Sequence, residues 1–263
     1  MNSSAPAAPG ASEPEPVITP GHGGVALDTS AAEAAVAMLR QMGEGAPPAD
    51  LEACWATLVD APAYRAWASA SVARPDELLA TLRSCPPTPD SAVADGAPAV
   101  VRGVLSAFAD GRDALATLSA RLAQARMLPV SEAARRALAC LPPGTALQAT
   151  VFVLLCGDRQ ALANDRGEVT IDLQVVPSIP ADPYMLALLA HELHHIGLDW
   201  CRQRDSAAAR AREAGGPTAA VVTALHMLLS EGTANAFFTP SGGEWLRAVA
   251  PNPIQALPRA PPA

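Results

Sequence analysis

The chain has 263 residues, of which half are apolar and 17% charged, so it can bury a sizeable core and is no wholly disordered polymer. A net charge of −8 argues against a general nucleic-acid or anionic-membrane binder. All 18 basic residues are arginine, a compositional bias with no chemical consequence of its own.

Residues 1–24 hold five prolines and four glycines and almost no large apolar side chains, which predicts a disordered tail. That start lacks the basic and apolar regions of a secretory signal, and no apolar run is long enough to span a membrane. The five cysteines form no C-x-x-C pair, which suits reduced thiols in the cytoplasm.

Order is expected from about Leu27, within one domain over 25–250. Ser30 with Glu33 three residues on forms a capping box, and Gly43 supplies a stop after the apolar face of Val36, Leu39 and Met42. A helix over 50–58 carries Trp55. Further helical patterns fall at 76–84, 97–109, 112–127 and 131–140.

The pattern changes after Pro142-Pro143-Gly144. The run over 147–157 is rich in β-branched residues and reads as a buried strand. Residues 167–176 alternate Val169, Ile171 and Leu173 with Glu168, Thr170 and Asp172. This predicts a strand with one wet face at a sheet edge, where its backbone can hold an extended peptide. Helices follow over 182–200, with Asp182 as cap and Pro183 in the first turn, and over 217–238. Residues 251–263 read as a proline-rich frayed tail. The fold class is α+β and mostly helical: a helical N-terminal half, a small sheet with an edge strand, then two helices carrying the site.

The first of those helices contains His191-Glu192-Leu193-His194-His195, an H-E-x-x-H pattern. Residues four apart share a helical face, so His191 and His195 can direct imidazole nitrogens at one ion. Zn2+ accepts such nitrogens at roughly 2.0–2.1 Å and keeps one position open in catalytic sites. Glu192, a quarter turn away, can reach a water on the ion and act as general base.

A third ligand is expected at Glu231. In the helix between Pro217 and Pro240 it is the one ionisable residue besides His226, and a carboxylate isolated among apolar groups calls for a cation. Gly232 beside it would permit close approach of the two helices. Asn235, four residues on, could accept the free N–H of a ligating histidine. Cys201 is a rival ligand, but the helix would carry it away from the site. His194 is expected to line or pack beside the site. His226 reads as a core histidine or a substrate-facing group, and Tyr184 as a packing residue or a hydrogen-bond donor.

The segments "LLAHELHHIG" and "LLSEGTANAFF" resemble the gluzincins, zinc peptidases with H-E-x-x-H and a glutamate on a later helix. They are similar in particular to bacterial zinc-dependent peptidases reading "aHElhH … sEGiA". The resemblance is strong over 147–238 and faint over 27–70. It implies a zincin-like fold, His191, His195 and Glu231 as zinc ligands, Glu192 as base, and a peptide or protein as substrate. Asn235 stands where gluzincins often carry aspartate. The expected function is zinc-dependent peptide hydrolysis. The alternative is an inactive zincin-type protein serving as a zinc-stabilised binding scaffold.

Overall fold

A computed structural model describes residues 17–18, 24–87, 97–177, 183–204, 210 and 213–238. The chain is α+β and mostly helical. The outer parts of the two expected tails, 1–16, 19–23 and 251–263, lie outside the described residues, as does Asp182, the expected helix cap. Within the first expected tail, Val17–Ile18 (β1) pair antiparallel with the start of a strand over Gly24–Asp28 (β2).

Helix α1 spans Ser30–Glu44 and starts one residue from the expected cap. The capping residue is Thr29, and its hydroxyl donates to the Glu33 carboxylate at 2.8 Å. Helices α2 (Pro48–Val59), α3 (Pro62–Ser71) and α4 (Pro75–Arg83) each begin with proline, whose missing N–H is no loss in a first turn. Helix α3 was not anticipated from the sequence, because its alanine-rich run carries no leucine stripe. It brings Tyr64 and Trp67 into the core, where Tyr64 Oη donates to the Leu155 carbonyl at 2.6 Å. Trp55 of α2 is buried edge-on to Phe108, with its indole N–H on the Leu82 carbonyl. Each buried aromatic dipole therefore has its partner. Helices α5 (Ala99–Asp113), α6 (Leu115–Ala125) and α7 (Val130–Ala139) complete the helical half.

The sheet has five strands in the order β1-β2-β3-β5-β4. Strand β3 (Ala149–Leu154) runs parallel to β2 on one side and to β5 (Glu168–Asp172) on the other, with Val151 opposite both Leu27 and Val169. The position of β5 corrects the sequence reading. It is interior, and the edge strand is β4 (Ala161–Ala163), paired antiparallel to β5. The expected wet face is also dry, since Thr170 is 3% and Asp172 1% exposed. Helix α3 packs against β3, β4 and β5, and α8 (Pro183–Arg204) against β4 and β5, so β5 is covered from Val169 to Asp172 and only Glu168 at its start is partly exposed.

The polar side chains on that face are buried because they have partners. Asp172 accepts the N–H groups of Arg159 at 2.8 Å and Gln174 at 3.0 Å, and Thr170 Oγ1 donates to the Leu162 carbonyl. Alternation of polar and apolar residues thus marks a two-sided interior whose polar half is satisfied by neighbouring backbone.

Helix α8 packs closely on α7 and carries Leu189, Ala190 and Leu193 fully buried. A last helix, α9 (Gly216–Ala234), tightens into a 3-10 turn over Asn235–Phe238.

Candidate metal centre

Two features of α8 put its chemistry in one place. Its apolar residues seat the helix against α7 and the sheet, and the residues of the H-E-x-x-H pattern face the open end of β4 and α9. The His191 and His195 Nε2 atoms are 3.0 Å apart. The Glu231 carboxylate of α9 lies 3.8 Å from His191 Nε2 and 3.6 Å from His195 Nε2. One donor atom from each of the three residues falls within 4.8 Å of the others. Neighbouring ligands on a tetrahedral zinc sit roughly 3.3 Å apart, given bonds of about 2.0–2.1 Å. Two imidazoles and a carboxylate at these separations fit that ion.

Electrostatics favour neutral imidazoles, the form that ligates. Burial lowers the pKa of His191, opposed by the nearby Glu231 charge and by the Ala234 carbonyl beside the ring. Carbonyl and ring do not form a hydrogen bond of good geometry, and His191 Nδ1 is buried without another partner. His195 is lowered by burial and by His191, while Glu231 and Asp199 pull it upward. Its Nδ1 lies 2.7 Å from Ser230 Oγ, a contact that fixes the ring and leaves Nε2 facing the other donors.

Glu192 is 7% exposed, and burial followed by the Glu231 charge raises its pKa to about 7. The N–H of Ala163, in the edge strand, donates to its carboxylate and partly opposes that rise. Strand β4 has one further consequence. Leu162 pairs with Thr170, the Asn164 N–H donates to Glu168, and the Gln160 carbonyl accepts from Asp172. In an antiparallel ladder the intervening residues turn their main-chain groups the other way, so those of Ala161 and Ala163 point away from β5. They border a cleft of about 400 Å³ that His191, Glu192, His195 and Glu231 also line.

The remaining residues singled out from the sequence fall outside this group. Asn235 is exposed at the end of α9, and the side chain on His195 is that of Ser230. Cys201 approaches the hydroxyl of Thr145 at 3.2 Å, away from the three donors. His194 is 1% exposed beside Phe237, and burial lowers its pKa to about 3, which makes it a neutral core histidine. His226 does not line the cleft, and its main-chain carbonyl accepts a hydrogen bond from Arg202. Tyr184 is half exposed and packs on Phe238, which in turn packs on His191.

Two sequence arguments need correction. The Glu231 side chain is 61% exposed, so it is isolated among apolar residues that themselves face solvent. A Cβ placed on Gly232 would meet nothing within 4 Å, so close approach of the helices does not depend on it. The glycine that does permit close approach is Gly197, where a Cβ would lie 2.3 Å from Leu141 Cδ1.

Reasoning from sequence missed β4 and Ser230. A signal for β4 existed in Asn164-Asp165-Arg166-Gly167, a short turn between two apolar runs. Asn164 Oδ1 accepts the N–H groups of Arg166 and Glu168, and Gly167 has φ +77°, as such a turn requires. Nothing in the sequence distinguished Ser230 from other helix serines.

Among the described residues no helix is long and apolar enough to cross a membrane. No curated protein and no solved structure matches the chain. One protein family does match, over residues 59–260, a span that takes in the edge strand, both site helices and all four candidate residues. By that match the chain belongs to the family described as "Putative zinc dependent peptidase (DUF5700)".

Proposed function

We propose that the protein hydrolyses peptide bonds in a zinc-dependent reaction at the cleft between β4, α8 and α9. What supports this reading above all is the convergence of His191, His195 and Glu231 within 4.8 Å, beside a buried Glu192 and a sheet edge. A zinc ion held by those three side chains would polarise the scissile carbonyl and acidify an attacking water.

The chain's own residues supply the rest. An extended peptide adds to β4 through the outward main-chain groups of Ala161 and the carbonyl of Ala163, which aligns its carbonyls along the cleft. Glu192, steered by the Ala163 N–H, takes a proton from water and delivers it to the leaving amine. Ser230 holds the His195 ring so that its Nε2 stays directed at the other ligands.

The test is metal analysis of the purified chain together with a peptidase assay with and without chelator. Zinc near one per chain and hydrolysis abolished by chelator are the expected results. Zinc without hydrolysis of any peptide in a diverse library would leave a zinc-stabilised scaffold. A chain that takes up no zinc would sink the reading altogether.

A further inference from the structure

We infer that Arg202 is a positioning residue for the third ligand: it ties α9 to α8 one turn before Glu231 and so sets where that carboxylate sits. The inference rests on the zinc-site reading above. It starts from how lightly α9 is held. Only Ser230 and Ala234 of that helix are buried, while Val221, Leu225 and Leu228 are 57%, 52% and 71% exposed. Apolar burial therefore does little to fix the helix against α8.

Side-chain hydrogen bonds cross between the helices instead. Ser230 meets His195, and the Arg202 guanidinium donates to the carbonyl of His226. Along α8, His195 and Arg202 are seven residues apart and share a face, separated by roughly 10 Å. Along α9, Ser230 and His226 are four residues apart, roughly 6 Å, and follow in the reverse order. The contacts thus join two antiparallel helices at two points. Without the Arg202 contact, α9 would be anchored only at its C-terminal end, by Ser230 and the buried turn over Asn235–Phe238, and its remainder would be free to swing about that anchor beside Glu231. Zinc tolerates ligand distances within about 0.2 Å, so a small pivot removes the third ligand.

Arg202 is built for such a tether. Its side chain is 16% exposed, and a second nitrogen is pinned to Asp199 Oδ1 at 3.0 Å. The planar fork of a guanidinium can serve both acceptors at once, whereas a lysine ammonium serves two separated acceptors poorly. Arg204, two residues on, provides the contrast: it lies over the Trp200 ring and makes no bond to α9 among those seen.

The experiment measures zinc affinity of the full chain by chelator competition, for wild type, R202M, R202K, E231Q, R202M/E231Q and R204M. R202M should bind zinc about 10–100-fold more weakly, the range for residues that orient a ligand. R202K should fall between R202M and wild type, and R204M should match wild type. Because Arg202 acts through Glu231, R202M/E231Q should bind no more weakly than E231Q alone. An R202M protein with wild-type affinity would overturn the inference, as would one whose loss persists undiminished in the E231Q background. So would a raised KM with unchanged zinc affinity, since that marks a substrate contact. If R202M does not fold, R202K carries the same comparison against E231Q. Wild-type chain without zinc uptake is the distinct result that removes the zinc site itself.

Discussion

Helices α8 and α9 supply the candidate metal ligands in opposite physical settings. Helix α8 is a core element: Leu189, Ala190 and Leu193 are fully buried, and even Glu192 and His194 are largely buried. Helix α9 is as apolar in sequence but lies on the surface, with Met227 and Leu228 among the most exposed large hydrophobics. The core helix fixes two histidines and a carboxylate to a rigid frame, where burial keeps the imidazoles neutral and raises the carboxyl pKa. The surface helix presents one half-exposed carboxylate and is tied to α8 through Ser230 and the His226 carbonyl. A rigid, buried seat for Glu192 and an exposed one for Glu231 are thus divided between two elements.

The largest expected effect lies on the core side. Glu192→Gln should leave metal content intact and reduce kcat/KM by about 10²–10⁴-fold, the usual worth of a positioned acid–base group. Metal analysis alongside turnover checks it. Loss of zinc from that variant would make Glu192 a ligand and erase the division drawn above.

On the surface side, Glu231→Ala should lower zinc affinity beyond the roughly 10–100-fold expected of Ser230→Ala, which only orients His195. Because the Glu231 side chain is 61% exposed, the metal-free protein should keep its stability within about 0.5 kcal/mol. Chelator competition and denaturant melts separate the two quantities. A large drop in metal-free stability would mean that α9 is a core element after all.

Acidity offers a third comparison. In the metal-free protein the Glu192 pKa stands at about 7 in the fold, against an ordinary value of 4.5. A raised carboxyl binds its proton better in the folded state, so its contribution is fully present below pH 4.5. It is lost as pH rises from 4.5 to 7, by on the order of 3 kcal/mol. Glu192→Gln, which cannot ionise, should remove that slope, so the variant gains on metal-free wild type across this window. Parallel curves for the two proteins would show that Glu192 is not buried as described.

The part of the site carried by one helix was legible in the sequence, because H-E-x-x-H encodes its own geometry: four residues make one turn, whatever surrounds them. Glu231 was also singled out, but on the premise that its apolar neighbours were buried. Hydrophobic composition specifies that a helix can be covered, not that it is, and α9 shows the difference. Strand β5 failed in the converse sense. Its alternating polar residues suggested solvent, whereas Asp172 and Thr170 are enclosed and hydrogen-bonded to backbone from Arg159, Gln174 and Leu162. Strand β4 is three residues long and owes its existence to the hairpin it forms with β5, which the pattern of Ala161-Leu162-Ala163 alone does not contain and only the turn over 164–167 signals.

The smallest effect gives the cleanest contrast between the helices. Gly197 lies within α8 and Gly232 in the last turn of α9, so changing either to alanine gains intrinsic helix preference, up to about 1 kcal/mol. Their surroundings differ. At Gly197 the new methyl would lie 2.3 Å from Cδ1 of Leu141, itself only 4% exposed, whereas at Gly232 it would meet nothing within 4 Å. Leu141 must therefore repack in one case and nothing moves in the other. Overpacking of a tight contact costs about 1–3 kcal/mol, so Gly232→Ala should stabilise and Gly197→Ala should fall below it by roughly that amount. Denaturant midpoints of the two variants read the difference directly. If Gly197→Ala stabilised as much as Gly232→Ala, the seat of α8 beside Leu141 would be loose. The rigid frame assigned to His191, Glu192 and His195 would then need another source.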